Sequence, residues 1–125
     1  MSLRSPMSLA LGKGAAGGAV HHWWLQRLTA VALAPLTLWF LFSLLALPSL
    51  AYHEVRAWLA DGWTPVWMSL LIAAATWHSL LGVQVVVEDY VSGKTAKTTA
   101  LVLSNFLHAI VGAAALFAVL KIALQ

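Results

Sequence analysis

One stretch of the chain combines a histidine with an aspartate and a tyrosine, and a helix would place the first two on one face. His78 lies inside an uncharged run over 66–87, and Asp89 and Tyr90 follow shortly after that run. An ionisable side chain in so apolar a segment is costly at membrane depth, so it indicates a functional site. In a helix, residues eleven apart are roughly 20° from eclipsed and about 16 Å apart along the axis. The sequence therefore predicts His78 deep in a helix and Asp89 on the same face near its end.

The imidazole of His78 has three interpretations. Ala74 and Gly82 lie one turn before and one turn after it, and small residues let a flat group or another helix approach the backbone closely. A haem requires such a groove, and neutral imidazole is a common nitrogen ligand of its iron. A polar contact across a helix interface and a proton relay are the other two interpretations, and the residues alone leave all three open.

Asp89 and Tyr90 have the chemistry that a quinone head group needs at a membrane edge. A tyrosine hydroxyl can donate a hydrogen bond to a carbonyl oxygen, and a neighbouring carboxylate can orient it or accept protons. The alternative is a tyrosine of the aromatic belt beside an ordinary loop aspartate. His108 is a second histidine in an apolar run, with Asn105 one turn before it. It is interpreted as a ligand, a relay or a packed polar contact between helices.

His21 and Arg27 precede the first apolar run and could bind haem propionates or lipid phosphates. The alternative is an interfacial belt, in which Arg27 extends towards the lipid headgroups and serves as a topology signal. The sequence contains no zinc-ligand pair, no glycine-rich phosphate loop and no pairing of a nucleophile with a base. Bond-making catalysis by this chain alone is therefore not expected.

Composition places the chain in the membrane. Its 125 residues are 62% hydrophobic and only 9% charged, and the mean hydropathy is +0.86. A soluble domain is about a quarter charged. The absence of cysteine excludes disulfides and iron–sulfur ligation by this chain. The net charge of +3 comes from seven scattered basic residues, which are interpreted as topology signals rather than as a nucleic-acid surface.

The pattern predicts an all-α membrane protein with one domain over residues 1–125. A cytoplasmic tail is expected over 1–20, and three transmembrane helices are expected over about 28–51, 66–87 and 98–120, each long enough to span. Residues 52–65 are expected to form a loop. The positive-inside rule predicts a cytoplasmic N-terminus and a periplasmic C-terminus. Five basic residues lie on the first side and two on the second: Arg4, Lys13, Arg27, Lys94 and Lys97 against Arg56 and Lys121.

Several of these residues together resemble a known family. They comprise Trp77-His78, Gly82, Gln84-Val85, Asp89-Tyr90-Val91 and Gly93, preceded by His21 and Arg27. The pattern resembles that of the succinate dehydrogenase hydrophobic membrane anchor subunits, the smaller anchors of respiratory complex II. The residues Asp89-Tyr90-Val91 and Gly93 resemble alphaproteobacterial and mitochondrial members of this family more closely than enterobacterial ones.

The resemblance implies that the chain is half of a two-subunit haem-binding helical bundle. The partner would be a cytochrome b anchor subunit, and the pair would hold an iron–sulfur subunit and a flavoprotein subunit, which alone carry the iron–sulfur clusters and FAD. One haem b would be shared, and His78 matches the axial ligand of its iron. Tyr90 matches the tyrosine that hydrogen-bonds ubiquinone, with Asp89 beside it. Arg27 and His21 match positions near the haem propionates or the quinone pocket.

The implied activity is that of succinate:ubiquinone oxidoreductase in the bacterial inner membrane, with this chain non-catalytic alone. Its implied contacts include membrane lipid and ubiquinone but no nucleic acid. His108 has no counterpart in the resemblance and is expected to be structural. A fumarate reductase anchor is the near alternative. A non-redox membrane scaffold or transporter subunit is the alternative from a different class.

Overall fold

The computed structural model describes residues 15–125, which form four helices and no strand. The prediction of an all-α protein is confirmed. The connections are short, so consecutive helices are close in space. The helices are α1 (Ala15–Leu45), α2 (Tyr52–Ala60), α3 (Thr64–Tyr90) and α4 (Lys94–Ala123).

Three of the helices are long and apolar enough to cross a membrane, as the sequence predicts. They provide spans over Val20–Leu45, Thr64–Tyr90 and Lys94–Ala123. The chain is therefore a multi-pass membrane protein.

The bounds of α1 differ from the uncharged run over 28–51 that was used to place the first span. This helix begins well before Arg27 and ends at Leu45. A single charged side chain does not interrupt backbone hydrogen bonding. Pro48, in contrast, disfavours helical geometry at the residue before it, and the helix ends shortly before this proline. Pro35 lies within α1 and does not end it. Of the tail expected over 1–20, residues 1–14 lie outside the described residues and 15–20 belong to α1.

The segment expected to be a loop over 52–65 contains α2, a helix of nine residues. Its Trp58 stacks on Trp39 of α1, with ring centroids 6.1 Å apart, and Trp39 also lies 6.1 Å from Trp67 of α3. At the other side of α2, Arg56 Nη2 donates a hydrogen bond to Gln125 Oε1 at 3.1 Å. These contacts fix α2 against the end of the bundle where α1 and α4 finish and α3 begins.

Across the bundle the three spans lie in the order α1, α3, α4. The central helix α3 packs against α1 on one side and α4 on the other, and the described parts of α1 and α4 do not contact each other. The end of the bundle that carries α2 is opposite the end where α3 finishes, which we call the Tyr90 end. Gly93 forms the turn between α3 and α4 with a φ of 91°, a conformation that favours glycine.

Very little of the molecule is buried within the single chain. In the described part of the chain, the buried apolar side chains are Leu36, Leu81 and Val119, one on each span. Large apolar side chains point outwards around all three spans. Helices in lipid associate through close packing of small residues rather than by hiding apolar ones. Gly112 of α4 is the clearest case, because a Cβ there would lie 3.0 Å from Thr76 Cγ2 of α3.

Candidate functional site

His78 lies near the middle of α3, fourteen residues after its first residue and twelve before its last. Its ring is half-buried against α1. The Nδ1 atom lies 2.9 Å from Thr29 Oγ1, and the Nε2 atom lies 3.3 Å from Gln26 Nε2. Both ring nitrogens therefore contact side chains of the same neighbouring helix.

The partners of His78 define which of its nitrogens carries the proton. Thr29 Oγ1 lies 2.9 Å from the carbonyl oxygen of Leu25 and 3.1 Å from that of Gln26, so its single proton is donated within its own helix. The hydroxyl oxygen is then an acceptor for Nδ1–H of His78. Gln26 Nε2 can only donate, so Nε2 of His78 accepts. In a neutral ring with both bonds, the lone pair of Nε2 accepts the Gln26 N–H, and a metal could bind there only in place of that amide.

The side-chain amide of Gln26 has a hydrogen-bond partner at its nitrogen but not at its oxygen. Its Oε1 is buried and, within the described residues, has no hydrogen-bond partner. Gly82 faces the same amide, since a Cβ at this glycine would lie 3.8 Å from Gln26 Nε2. The close approach that the sequence predicts next to His78 is thus present, and α1 is the helix that makes it. A buried carbonyl oxygen without a hydrogen-bond partner costs free energy.

An apolar groove of about 470 Å³ opens between α1 and α3 and borders Thr29, the partner of His78 Nδ1. Thr29 and Trp77 line it, together with small residues that include Ala32 and Ala74. Among the described residues, no group of three or more histidine, aspartate or glutamate side chains forms a metal site. A haem needs only axial ligands from protein, and its ring needs a flat apolar space. The imidazole of His78 is a ligand of the required kind, and the apolar groove borders Thr29, which contacts its Nδ1.

Arg27 lies much deeper than the sequence suggests. Gln26 lies one residue before it in α1 and Thr29 two residues after it, and both contact His78. Arg27 therefore lies within about one turn of the level of that histidine. Its side chain is exposed on the chain, and its guanidinium carbon lies 5.3 Å from the ring centre of Trp23. Arg27 is the eighth residue of the span Val20–Leu45, and an arginine within a span favours an anionic partner.

His21 does not join the His78 site. It lies six residues before Arg27 in α1, roughly 9 Å nearer to the Tyr90 end, and its side chain is exposed. The structure therefore places His21 between the levels of His78 and Tyr90 and brings it into contact with neither.

Asp89 and Tyr90 are the last two residues of α3, and both are exposed, with 82% of Tyr90 accessible. The helix is continuous from His78 to Tyr90, a separation of about 18 Å along the axis. Lys97 Nζ of α4 donates a hydrogen bond to the carbonyl oxygen of Glu88 at 2.7 Å, which holds the end of α3. The site residues on α3 thus lie on one rigid element.

His108 forms a packed polar contact between α4 and α3. Its Nδ1–H donates to the carbonyl oxygen of Ser104 at 2.8 Å, and its Nε2 accepts from the hydroxyl of Ser79 at 3.1 Å. Sequence reasoning named neither Ser79 nor Thr29 and Gln26 as histidine partners. The available signal was that each is a polar residue within an apolar span.

Comparisons with known proteins identify the family that the chain resembles. Residues 1–120 match the family described as succinate dehydrogenase/fumarate reductase transmembrane subunit. The chain is 35% identical over 102 residues, 79% of each chain, to a succinate dehydrogenase hydrophobic membrane anchor subunit of Rickettsia bellii. It is 27% identical over 120 residues to that of Paracoccus denitrificans, covering 96% of this chain and 92% of the relative. No solved structure matches the chain.

Proposed function

The chain belongs to the succinate dehydrogenase/fumarate reductase transmembrane subunit family, and we propose that it anchors a succinate:ubiquinone oxidoreductase to the membrane. Its relatives over most of their length are succinate dehydrogenase membrane anchor subunits. In this proposal the chain acts as one part of a larger complex. The observation that carries the proposal is the Nε2 atom of His78, directed into the α1–α3 interface with only a long amide contact.

His78 binds the iron of a haem b through Nε2 in this proposal. Ligation there requires the Gln26 amide to give up its 3.3 Å contact, while Nδ1–H keeps its bond to Thr29. A histidine of a cytochrome b subunit, packed against the exposed apolar surface of this chain, would hold the iron together with His78. A bound haem b supplies reversible one-electron chemistry close to the quinone. Arg27, at the same depth, is then the cation for a haem propionate.

Tyr90 and Asp89 bind ubiquinone at the Tyr90 end. The tyrosine hydroxyl donates a hydrogen bond to a carbonyl oxygen of the head group, and the adjacent carboxylate can accept and release protons during reduction. Both side chains are exposed, as a site completed by other subunits requires. His21, which lies between the two levels, is the looser assignment to the propionate or quinone surroundings.

The orientation follows from the basic residues. The Tyr90 end carries Lys94 and Lys97, and positive residues mark the cytoplasmic side. In the proposed orientation the Tyr90 end and the N-terminus lie in the cytoplasm, and the C-terminus lies in the periplasm of a bacterial inner membrane. The iron–sulfur and flavoprotein subunits then dock at the cytoplasmic end, so that electrons from succinate arrive beside Tyr90.

The assembly is tested by isolating the native complex in mild detergent through a tag on this chain. We expect a flavoprotein and an iron–sulfur protein to be recovered with it, with succinate-dependent ubiquinone reduction and a b-type dithionite-reduced minus oxidised spectrum. An intact, monodisperse complex with neither flavin nor haem would contradict the proposal. Recovery of flavin without haem would retain the anchor function and remove the haem assignment.

The quinone assignment is tested with the two tyrosines of the chain, which lie at opposite ends of the bundle. Tyr90→Phe removes one hydroxyl and keeps the ring, so the complex should assemble with its haem while ubiquinone reduction falls about tenfold or more. Tyr52→Phe, on α2, is the matched control and should leave the rate unchanged. Equal quinone kinetics in wild type and Tyr90→Phe would contradict direct contact.

A further inference from the structure

We propose that Thr29 of α1 is a positioning residue for His78, which fixes the tautomer and the rotation of the imidazole and thereby tunes its strength as an iron ligand. The inference rests on the proposed haem function and deepens it. It concerns a residue of α1, whereas the ligand itself is on α3.

The hydroxyl of Thr29 makes one more contact than a hydroxyl inside a helix usually makes. Serine and threonine hydroxyls inside helices commonly donate to a carbonyl one turn earlier. Ser69 of α3 does only this, donating to the carbonyl oxygen of Pro65 at 2.7 Å. Thr29 makes the same local bond and has an additional contact at 2.9 Å to Nδ1 of His78 on another helix. The local bond orients its lone pairs, and one of them receives the ring proton.

Fixing the proton on Nδ1 has two consequences for Nε2. It leaves Nε2 unprotonated, which is the state that a metal requires of imidazole. It also sets the rotation of the ring, because the Nδ1–H must point at Thr29 while Nε2 faces Gln26. Histidine ligands of metals nearly always donate their other N–H to such a partner, which orients the ring and raises its basicity.

A more basic ligand stabilises the oxidised iron and lowers its reduction potential. Removal of the acceptor should therefore raise the midpoint potential of the haem. Thr29→Val is nearly isosteric and replaces the hydroxyl with a methyl group. Thr29→Ser retains a hydroxyl that can make the same bonds. Thr76→Val is the matched control, because Thr76 also lies in a span but packs against Gly112 of α4 instead of α1.

The experiment is a redox titration of haem b, with the low-spin EPR signal of the oxidised haem, in the whole complex carrying each variant. We expect a positive shift of the midpoint potential and a changed EPR signal in Thr29→Val. Thr29→Ser and Thr76→Val should match wild type. If Thr29→Val does not assemble, Thr29→Ala carries the same expectation with less steric demand.

An unchanged potential and signal in an assembled Thr29→Val or Thr29→Ala complex would overturn the inference. The inference would also be overturned if Thr76→Val or Thr29→Ser showed the same shift of the midpoint potential as Thr29→Val. These results leave the proposed function intact, since haem is still bound. Absence of haem from the wild-type complex, in contrast, would refute the proposed haem function itself.

Discussion

The two intramembrane histidines lie at two interfaces of the same helix, and their surroundings differ. At the α3–α4 interface, His108 has a strong acceptor for its N–H and a hydroxyl donor for its other nitrogen. At the α1–α3 interface, His78 has an acceptor for its N–H, but its other nitrogen has only an amide contact at 3.3 Å. Both rings therefore have a partner on each nitrogen, and at Nε2 the amide contact of His78, at 3.3 Å, is longer than the hydroxyl contact of His108, at 3.1 Å.

Apolar grooves open at both interfaces, so packing alone does not separate the two histidines. A groove of about 590 Å³ between α3 and α4 is lined by His108, and one of about 470 Å³ between α1 and α3 is lined by Thr29. The glycine contacts differ more: a Cβ at Gly112 would lie 3.0 Å from Thr76 Cγ2, whereas a Cβ at Gly82 would lie 3.8 Å from Gln26 Nε2. We therefore distinguish the two histidines by their hydrogen-bond partners, and not by their depth or by the space around them.

Replacement of Arg27 should have a large effect on haem retention and tests whether haem binds on the α1–α3 side. Arg27→Gln removes the cation at the level of His78, so haem retention should weaken on the order of tenfold, as expected for one charge-assisted bond. Arg56→Gln, on α2, is the matched control and should retain haem as wild type does. The measurement is haem per complex after repeated detergent washing. Equal retention in both variants would remove Arg27 from the haem site.

Substitutions at Gly82 and Gly112 should have a smaller effect, on the stability of the complex rather than on haem retention. Alanine at Gly112 forces Thr76 away, which should cost about 1–3 kcal/mol and exceed the helix-propensity gain of about 1 kcal/mol. Alanine at Gly82 meets Gln26 Nε2 at an ordinary 3.8 Å and should be neutral or slightly stabilising. Thermal unfolding midpoints of the two purified complexes test this. A lower midpoint for Gly82→Ala than for Gly112→Ala would contradict the packing comparison.

The sequence was sufficient to predict the three spans, because long uncharged runs are unambiguous. It was also sufficient to single out His78, because a lone ionisable group in such a run is conspicuous. It did not predict α2, which is too short and too mixed in polarity to be distinguished from an interfacial loop. It also placed the start of the first span after Arg27, because a charge was taken to mark the membrane surface.

The partners of the histidines could not be predicted, for a different physical reason. Helical periodicity shows which residues share a face of one helix, but it does not give the register between two helices. That register is set by local fits such as Gly82 against Gln26 and Gly112 against Thr76. Thr29 therefore had no sequence signal that linked it to His78, and neither did Ser79 to His108.

The central claim is that the α1–α3 histidine, and not the α3–α4 histidine, binds the haem iron. It is tested most directly by reduced minus oxidised spectra of complexes carrying His78→Ala or His108→Ala. We expect His78→Ala to lose the b-type signal or convert it from low spin to high spin. His108→Ala should keep the wild-type spectrum at lower stability, since it leaves the Ser79 hydroxyl without its acceptor. An unchanged spectrum in His78→Ala, or haem loss specific to His108→Ala, would contradict the account.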